Sequence, residues 1–212
     1  MTRQWLSMRV DSVDDVSAAA GVFRSADPNG EWYFLPHNGA FVPLAFHATA
    51  TARARLADIA PGRPGAAPGD LPVHHASSEL ALALRAHDVE NLLVGHLAEV
   101  TAGLTTGDRA AFLFHCWQLC SAELEPADRV RLARRADVLA KEATTQTAIP
   151  PHALAAWHRY LTALRASYTT NYSLFRHSQL THERLGVPAA DQALAARVLR
   201  GIHIDIELTK AA

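Results

Sequence analysis

A chain of 212 residues and 23.0 kDa, with 49% apolar and 19% charged residues, has enough apolar surface for a buried core and the size of one domain or a domain with a small appendage. Its 20 basic and 21 acidic side chains leave a net charge of −1, which excludes the electrostatic footprint of a bulk nucleic-acid binder. No apolar run approaches the roughly 18 residues that span a bilayer, and the opening TRQWLSMRV lacks the apolar core of a signal peptide, so the expected setting is cytoplasmic, away from any membrane.

WLSMRV (5–10), EWYFL (31–35) and FVPLAFHA (41–48) are short, rich in aromatic or β-branched residues, and bounded by the turn formers Asp-Pro-Asn-Gly and His-Asn-Gly. Between the first two, Val13, Val16, Ala20 and Phe23 recur at helical spacing. The order β–α–β–β is that of a ferredoxin-like start. APGRPGAAPGDLP (60–72) carries four prolines that lack N–H donors, along with glycines of high chain entropy, and reads as a flexible loop or linker without helix or ladder.

Beyond it the period changes to that of a helix. Ser77 or Ser78 is expected to cap a helix carrying Leu80, Leu84, Leu92, Leu93 and Leu97, and DRAAFLFHCWQL reads as a nearly all-apolar buried helix. Pro126 suits a first helical position, opening a basic helix towards Thr144. After Pro150 and Pro151, a stripe of Leu154, Trp157, Leu161, Leu164 and Tyr168 marks another helix, and a last one begins at Pro188 and is expected to stop at Gly201. The terminal IHIDIEL alternates strictly and reads as a strand with one wet face. The fold class is therefore α+β, with ferredoxin-like N-terminal strands packed with a predominantly helical C-terminal part.

Twelve histidines raise the question of a metal, but there is no HExxH, no CxxC and no zinc-finger spacing, and His74-His75 are assigned to a loop. No nucleophile elbow is present. Cys116 and Cys120 stand four apart in an apolar helical run, where they read as reduced core residues. The glycines at 62, 65 and 69 precede no helix cued for phosphate. No metal and no cofactor are expected.

NYSLFRHSQLTHERLGV (171–187) stands out. As a helix it places Tyr172, Gln179 and Glu183 on one face with Phe175, and Ser173, His177 and Arg184 near another, so it is polar where a core helix is greasy. Either it is solvated or it lines a cavity.

The order of features resembles the C-terminal elimination domain of class I lanthipeptide dehydratases, a domain type also used by thiopeptide pyridine synthases. A strand opened by Trp (WLSMRV) precedes a strand pair and then helices. SLFRHSQLTHERLGVPAADQALAARVL is similar to the closing SLLHMHxNRLxGI-like segment, with Glu183-Arg184-Leu185-Gly186 where the family has Asn-Arg-Leu. The resemblance covers most of the chain and implies a single domain over residues 1–212, with the flexible segment at 60–72.

The departures from the family pattern are informative. Members that eliminate glutamate carry a histidine five residues before the closing arginine, where this chain has Gln179. They also hold the glutamyl carboxylate with arginines of an FxRYxxxGPHLRLRF-like strand pair, where YFLPHNGAFVPLAFHA has Pro36, Pro43 and Ala45. Loss of guanidinium removes charge and bidentate donors together, so glutamyl elimination is not expected.

What the resemblance then implies is the pyridine-synthase activity, a formal [4+2] aza-cycloaddition of two dehydroalanines. Loss of water and of the leader peptide completes the ring. Side-chain chemistry nominates Tyr172, His177 and His182 as proton shuttles and Ser173 and Gln179 to hold the amide, while Trp32, His37, Arg176 and Arg184 are assigned to substrate binding.

The expected partner is a modified precursor peptide with its leader, held by β-augmentation on the N-terminal strands and by charge in the second half. Residues 101–212 carry 13 basic against 10 acidic groups, whereas residues 1–100 carry 7 against 11. Self-association as a homodimer is left open. Two rival readings stand beside this one: a non-catalytic leader-binding protein of a biosynthetic complex, and a helical domain of unrelated function.

Overall fold

The computed structural model describes residues 2–36, 41–85, 89–143, 145–146, 149–167 and 170–211. They form two compact units, Met1–Arg85 with Ala155–Ser167, and Ala86–Leu154 with Tyr168–Ala212.

The first unit runs β1 (Gln4–Val10), α1 (Val13–Ala26), β2 (Trp32–Phe34), β3 (Val42–Ala48), α2 (Ala50–Leu56), β4 (Arg63–Pro64) and α3 (Leu71–Leu84), with α7 (Leu154–Ser167) falling almost wholly within it. The sheet order is β2-β3-β1-β4, every neighbouring pair antiparallel. This is the split β–α–β arrangement that the opening strands led one to expect. Alternation divides the sheet into two faces. Met8, Val10, Trp32, Phe34, Val42, Leu44 and Phe46 are buried, and Phe23 of α1 meets Phe46 at a ring separation of 4.8 Å. Ser7, Arg9, Tyr33, Pro43 and His47 alternate with them and turn to the other face.

Asp27, which ends α1, ties the start of β1 to the start of α2. Its carboxylate takes two hydrogen bonds from Arg3, at 3.0 and 2.7 Å, and one from the Thr49 amide at 3.2 Å. The Arg3 hydrogen bond holds this nearly buried acid below its ordinary range.

The segment 60–72 is not without order. Arg63–Pro64 pairs with Leu6 and Ser7, the Gly65 amide donates to the Trp5 carbonyl at 3.0 Å, and α3 begins at Leu71. Proline is tolerated because β4 is an edge strand. Glycine is required at Gly65, where a Cβ would come within 2.3 Å of Ser7 Oγ. Since α3 begins so early, His74 and His75 lie in a helix rather than a loop, and Ser77 and Ser78 are buried within it rather than capping it. Ser78 and its neighbours His75 and Glu79 have a different use. The Phe34 amide donates to Ser78 Oγ at 3.2 Å, Trp32 Nε1 donates to Glu79 at 2.7 Å, and His75 Nδ1 lies 3.2 Å from the Trp32 amide and 2.9 Å from its carbonyl. Helix α3 thus covers the β2 edge, which removes that edge from β-augmentation.

The second unit contains α4 (Glu90–Thr101), α5 (Thr106–Cys120), α6 (Pro126–Leu139), α8 (Asn171–Arg184) and α9 (Ala189–Ala211). Thus the leucines expected on one helix divide between α3 and α4. Helices α4, α5 and α6 all pack against α9, and α8 against α4 and α5. α5 is less buried than its composition suggests, since Phe114 and Leu119 are exposed.

The expected stop at Gly201 and the expected strand over IHIDIEL are both overturned: α9 continues through them. Gly201 serves close packing instead, because a Cβ there would lie 2.8 Å from that of Ala140 beyond α6. Strict alternation alone cannot form a strand without a partner edge, and helix packing decides the matter.

The α3 cover yields a test. Ser78→Ala leaves the buried Phe34 amide without its acceptor and is expected to cost about 1–3 kcal/mol, read from urea unfolding; a change below the error of that measurement would mean that β2 is held by apolar packing alone.

Candidate functional site

Helix α8, the polar segment singled out in the sequence, is built by its ends. Thr170 and Ser173 form a reciprocal capping box, with the Ser173 amide donating to Thr170 Oγ1 at 3.1 Å and the Thr170 amide donating to Ser173 Oγ at 3.2 Å. At the other end the Gly186 and Val187 amides donate to the Glu183 and His182 carbonyls, and Gly186 takes φ 74°. This is a Schellman stop. The Leu-Gly-Val of the closing motif therefore has a structural reason for its glycine.

Between these ends the helix is two-faced. Tyr172, Arg176 and Glu183 are exposed, with Tyr172 at 64%, and Arg176 donates to Gln179 at 3.2 Å. His177, Ser178, Thr181, His182 and Arg184 are buried. Phe175 is buried as well and does not share the Tyr172 face. The proposed proton shuttles are thus separated, Tyr172 on the wet side and His177 and His182 inside, while Ser173 serves the cap. Trp32, expected to meet substrate, is 0% exposed on the helix-covered face of the sheet. His37 lies outside the described residues.

His182 joins a partner that the sequence did not suggest. His96 Nδ1 and His182 Nε2 are 2.7 Å apart, with the rings edge to face at 4.7 Å. His182 also bonds to Gln192. The Gln192 amide nitrogen donates to the Val187 carbonyl at 3.0 Å, and Cys120 Sγ lies 3.8 Å from Gln192 Oε1. Fixing Gln192 by its nitrogen leaves its oxygen to accept from His182 Nδ1–H, so His182 Nε2 accepts from His96. The network closes with both rings neutral. Burial pushes His182 down to about 4 against the opposing pull of Gln192, and burial followed by the facing His182 holds His96 well below its ordinary value. Burial likewise raises the Cys116 thiol, and raises Cys120 to about 11, which keeps both from acting as thiolate nucleophiles.

A concave site lies elsewhere, on the outer face of the sheet. In register, Arg63, Ser7, Ala45 and Tyr33 form one row across the four strands, and Arg9 pairs with Pro43 in the next, where the Leu35 amide donates to the Pro43 carbonyl at 2.9 Å. The middle of each row is small or flat. The result is a groove of about 480 Å³, floored by Ser7, Pro43 and Ala45 and walled by Arg9, Tyr33, Leu35 and Arg63. Beyond Tyr33 the face continues as an aromatic platform: Trp5 stacks on His47 at 5.0 Å and 8°, and lies 6.0 Å from Tyr33. Pro43 and Ala45, where the resemblance calls for arginines, both face this groove. Arg9 and Arg63 supply guanidinium groups there from other strands.

The period-two pattern of WLSMRV contained the signal for Ser7 and Arg9, because it sets them opposite Met8 and Val10. Nothing in the proline-rich 60–72 marked Arg63. Among the described residues no group of three or more His, Cys, Asp or Glu is placed to hold a metal ion, and no helix is long and apolar enough to cross a membrane.

The buried histidine pair makes stability depend on pH. In the unfolded chain both rings titrate near 6.5; folded, they resist protonation. The unfolded state then binds protons first, so stability is fully present above about pH 6.5 and lost as the pH falls towards 4. For His182 alone, a fall from the ordinary 6.5 to about 4 corresponds to a loss of about 3 kcal/mol. Urea unfolding between pH 7.5 and 4 is expected to show this decline, and a flat profile would mean that both rings reach water.

No protein-family model matches the chain, and no curated protein matches it in sequence. Among solved structures, it is similar to the pyridine synthase TbtD from thiomuracin biosynthesis, with a TM-score of 0.69 and 14% identity over 97% of this chain and 99% of that one. It is also similar to the tRNA-dependent lantibiotic dehydratase MibB from Microbispora sp. 107891, with a TM-score of 0.55 and 14% identity over 100% of this chain and 29% of that one. The likeness is one of fold: along nearly its whole length the chain folds as this pyridine synthase does, and as somewhat under a third of the dehydratase does, in line with the resemblance carried by its opening strand and closing motif.

Proposed function

We propose that the chain matures a ribosomally made, modified peptide of the thiopeptide type, joining two dehydroalanines by a formal [4+2] aza-cycloaddition with the sheet-face groove as the substrate's seat. The observation that carries this reading is the fold likeness to a pyridine synthase across 97% of one chain and 99% of the other. Residue geometry supports it in a second way: a volume of about 480 Å³ falls within the range of small-molecule sites, roughly 300–1,000 Å³, and the groove lies along extended strands that suit an extended peptide.

In this reaction a backbone amide tautomerises to the hydroxy-imine form of a 2-azadiene. The diene closes on the second alkene, and loss of water and then of the leader amide makes the ring aromatic. The protein's largest contribution is to bring two distant alkenes together, for which effective molarity lowers the barrier by about 7–11 kcal/mol. The Tyr33 and Ser7 hydroxyls are suited to move protons at the amide oxygen, and Arg9 and Arg63 to anchor the peptide by charge. On α8, Tyr172, Arg176 and Gln179 present their polar groups outward and are assigned to contact with the peptide. His177, His182 and Arg184 act through the helix interior that positions them.

The seclusion of the His96–His182 pair favours a second reading. With the expected shuttle histidine buried and neutral, the chain is a leader-peptide-binding partner of other maturation enzymes and performs no chemistry of its own.

Mass spectrometry of the purified protein with a leader-bearing substrate containing two dehydroalanines separates the two. A macrocycle with loss of water and a freed leader is expected; binding without product establishes the second reading. In single-turnover assays Tyr33→Phe is expected to slow cyclisation by about a hundred-fold with leader affinity unchanged, and a wild-type rate would remove Tyr33 from the chemistry. Tyr172→Phe, on an exposed position, is expected to alter stability by no more than about 0.5 kcal/mol in a thermal melt.

A further inference from the structure

We infer that the sheet-face groove recognises an acidic segment of its peptide, seating a carboxylate between Arg9 and Arg63. This deepens the preceding reading and rests on it for the groove as the peptide's seat.

Charge is segregated in an unexpected way. The first hundred residues carry 7 basic against 11 acidic groups, yet the residues lining the groove include two arginines and no carboxylate. Elsewhere in the same unit Arg3 is matched with Asp27, Arg24 with Glu79 and Arg85 with Asp14, while Arg53 and Arg55 belong to α2 and not to the groove lining. Among the described residues Arg9 and Arg63 have no such ion pair. Each is exposed, so each guanidinium meets an arriving anion without first breaking a salt bridge.

Arg9 is also held in a way that suits the task. Its guanidinium carbon lies 4.3 Å from the centre of the Phe41 ring, a cation–π contact that uses the flat face of the group. The N–H donors point outward in the plane and stay available, and a planar fork restrained in this way is matched to a carboxylate. Arg63 is brought beside Arg9 by the neighbouring strand β4, in register with Ser7 and one row along. That short strand lies flat on β1 only because Gly62 and Gly65 leave room for Leu6 and Ser7 Oγ, within 2.3 Å of any added Cβ.

Beside the two arginines, on β1 and β3, the floor carries Ser7, Pro43 and Ala45, which leave depth for a side chain. Leu35, 38% exposed, and Tyr33 give apolar area to the residues flanking the acid. The fitted ligand is thus an extended peptide that alternates acidic and apolar residues. A neutral peptide of the same shape gains only the apolar part.

The probes are two fluorescein-labelled, end-blocked peptides without dehydroalanine, one with the sequence Glu-Leu-Glu-Phe-Glu-Leu and the other with glutamine at each glutamate position. Fluorescence anisotropy with the full chain is expected to give at least about ten-fold tighter binding of the acidic peptide, the ratio shrinking as salt is raised to 1 M, where the Debye length is about 3 Å. In the Arg9→Gln/Arg63→Gln variant the ratio is expected to fall to within two-fold, with the melting temperature unchanged because both side chains are exposed. Equal binding of the two peptides by the wild type would overturn the inference. An acidic preference that survives in the double variant would do so as well, by placing the anion site elsewhere. Because the probes cannot cyclise, loss of the cycloaddition reading leaves this result standing, and failure of anion binding leaves the macrocyclisation assay to be judged by its own product.

Discussion

The structure of the sheet unit depends on how β2 is held. Three residues are a short strand, and an edge of unpaired amides is an unstable place for one. Helix α3 resolves this by offering Ser78, His75 and Glu79 to the Phe34 amide, the Trp32 backbone and the Trp32 indole. With Trp32 locked into the interior, alternation compels Tyr33 to the opposite face, opposite Ala45. One wall of the groove is therefore set by hydrogen bonds made on the far side of the sheet. The same bonds close one edge to an incoming strand, so a peptide approaching this unit meets the open face or the short β4 edge.

The helical unit follows a different physical rule. Its helices gather on α9, and the interior they enclose contains more polarity than a bundle core needs. His96, His182, Gln192 and Cys120 are linked in a chain whose donors and acceptors are consistent with a single neutral tautomer for each ring. A buried network of this kind specifies one packing of α4, α5, α8 and α9, because any slip leaves a polar atom without a partner in low dielectric. In α8 it converts a run of reactive-looking residues into a helix with a structural, buried side and a solvated side. Polarity in the sequence reported both roles at once without separating them.

The two units differ in what they expose. The sheet offers a surface of defined shape, set by register, by the glycine-permitted contact of β4 and by a floor of small residues. The outer sheet face presents the hydroxyls of Ser7 and Tyr33 with the guanidiniums of Arg9 and Arg63, and the exposed side of α8 presents Tyr172 and Arg176. The two cysteines are buried and remain protonated, as their spacing on an apolar helix implied.

By itself the sequence determined what local pattern can determine. Period-two runs and the Asp-Pro-Asn-Gly turn located the three main strands, helical spacing located most helices, and Pro126 and Pro188 marked helix starts, because these signals act over a few residues. The Trp-led strand and the closing Glu-Arg-Leu-Gly were enough to point to the fold shared with a pyridine synthase.

Only tertiary structure decided the rest. IHIDIEL became helix since alternation has no force without a neighbouring edge; Gly201 remained inside α9 because the constraint on it was the nearness of Ala140. His182 found His96 across 86 positions of chain, and Arg63 reached Arg9's groove from a stretch that composition marks only as breaker-rich. Burial, pairing and the meeting of distant side chains are properties of packed surfaces, and no window of neighbouring residues contains them.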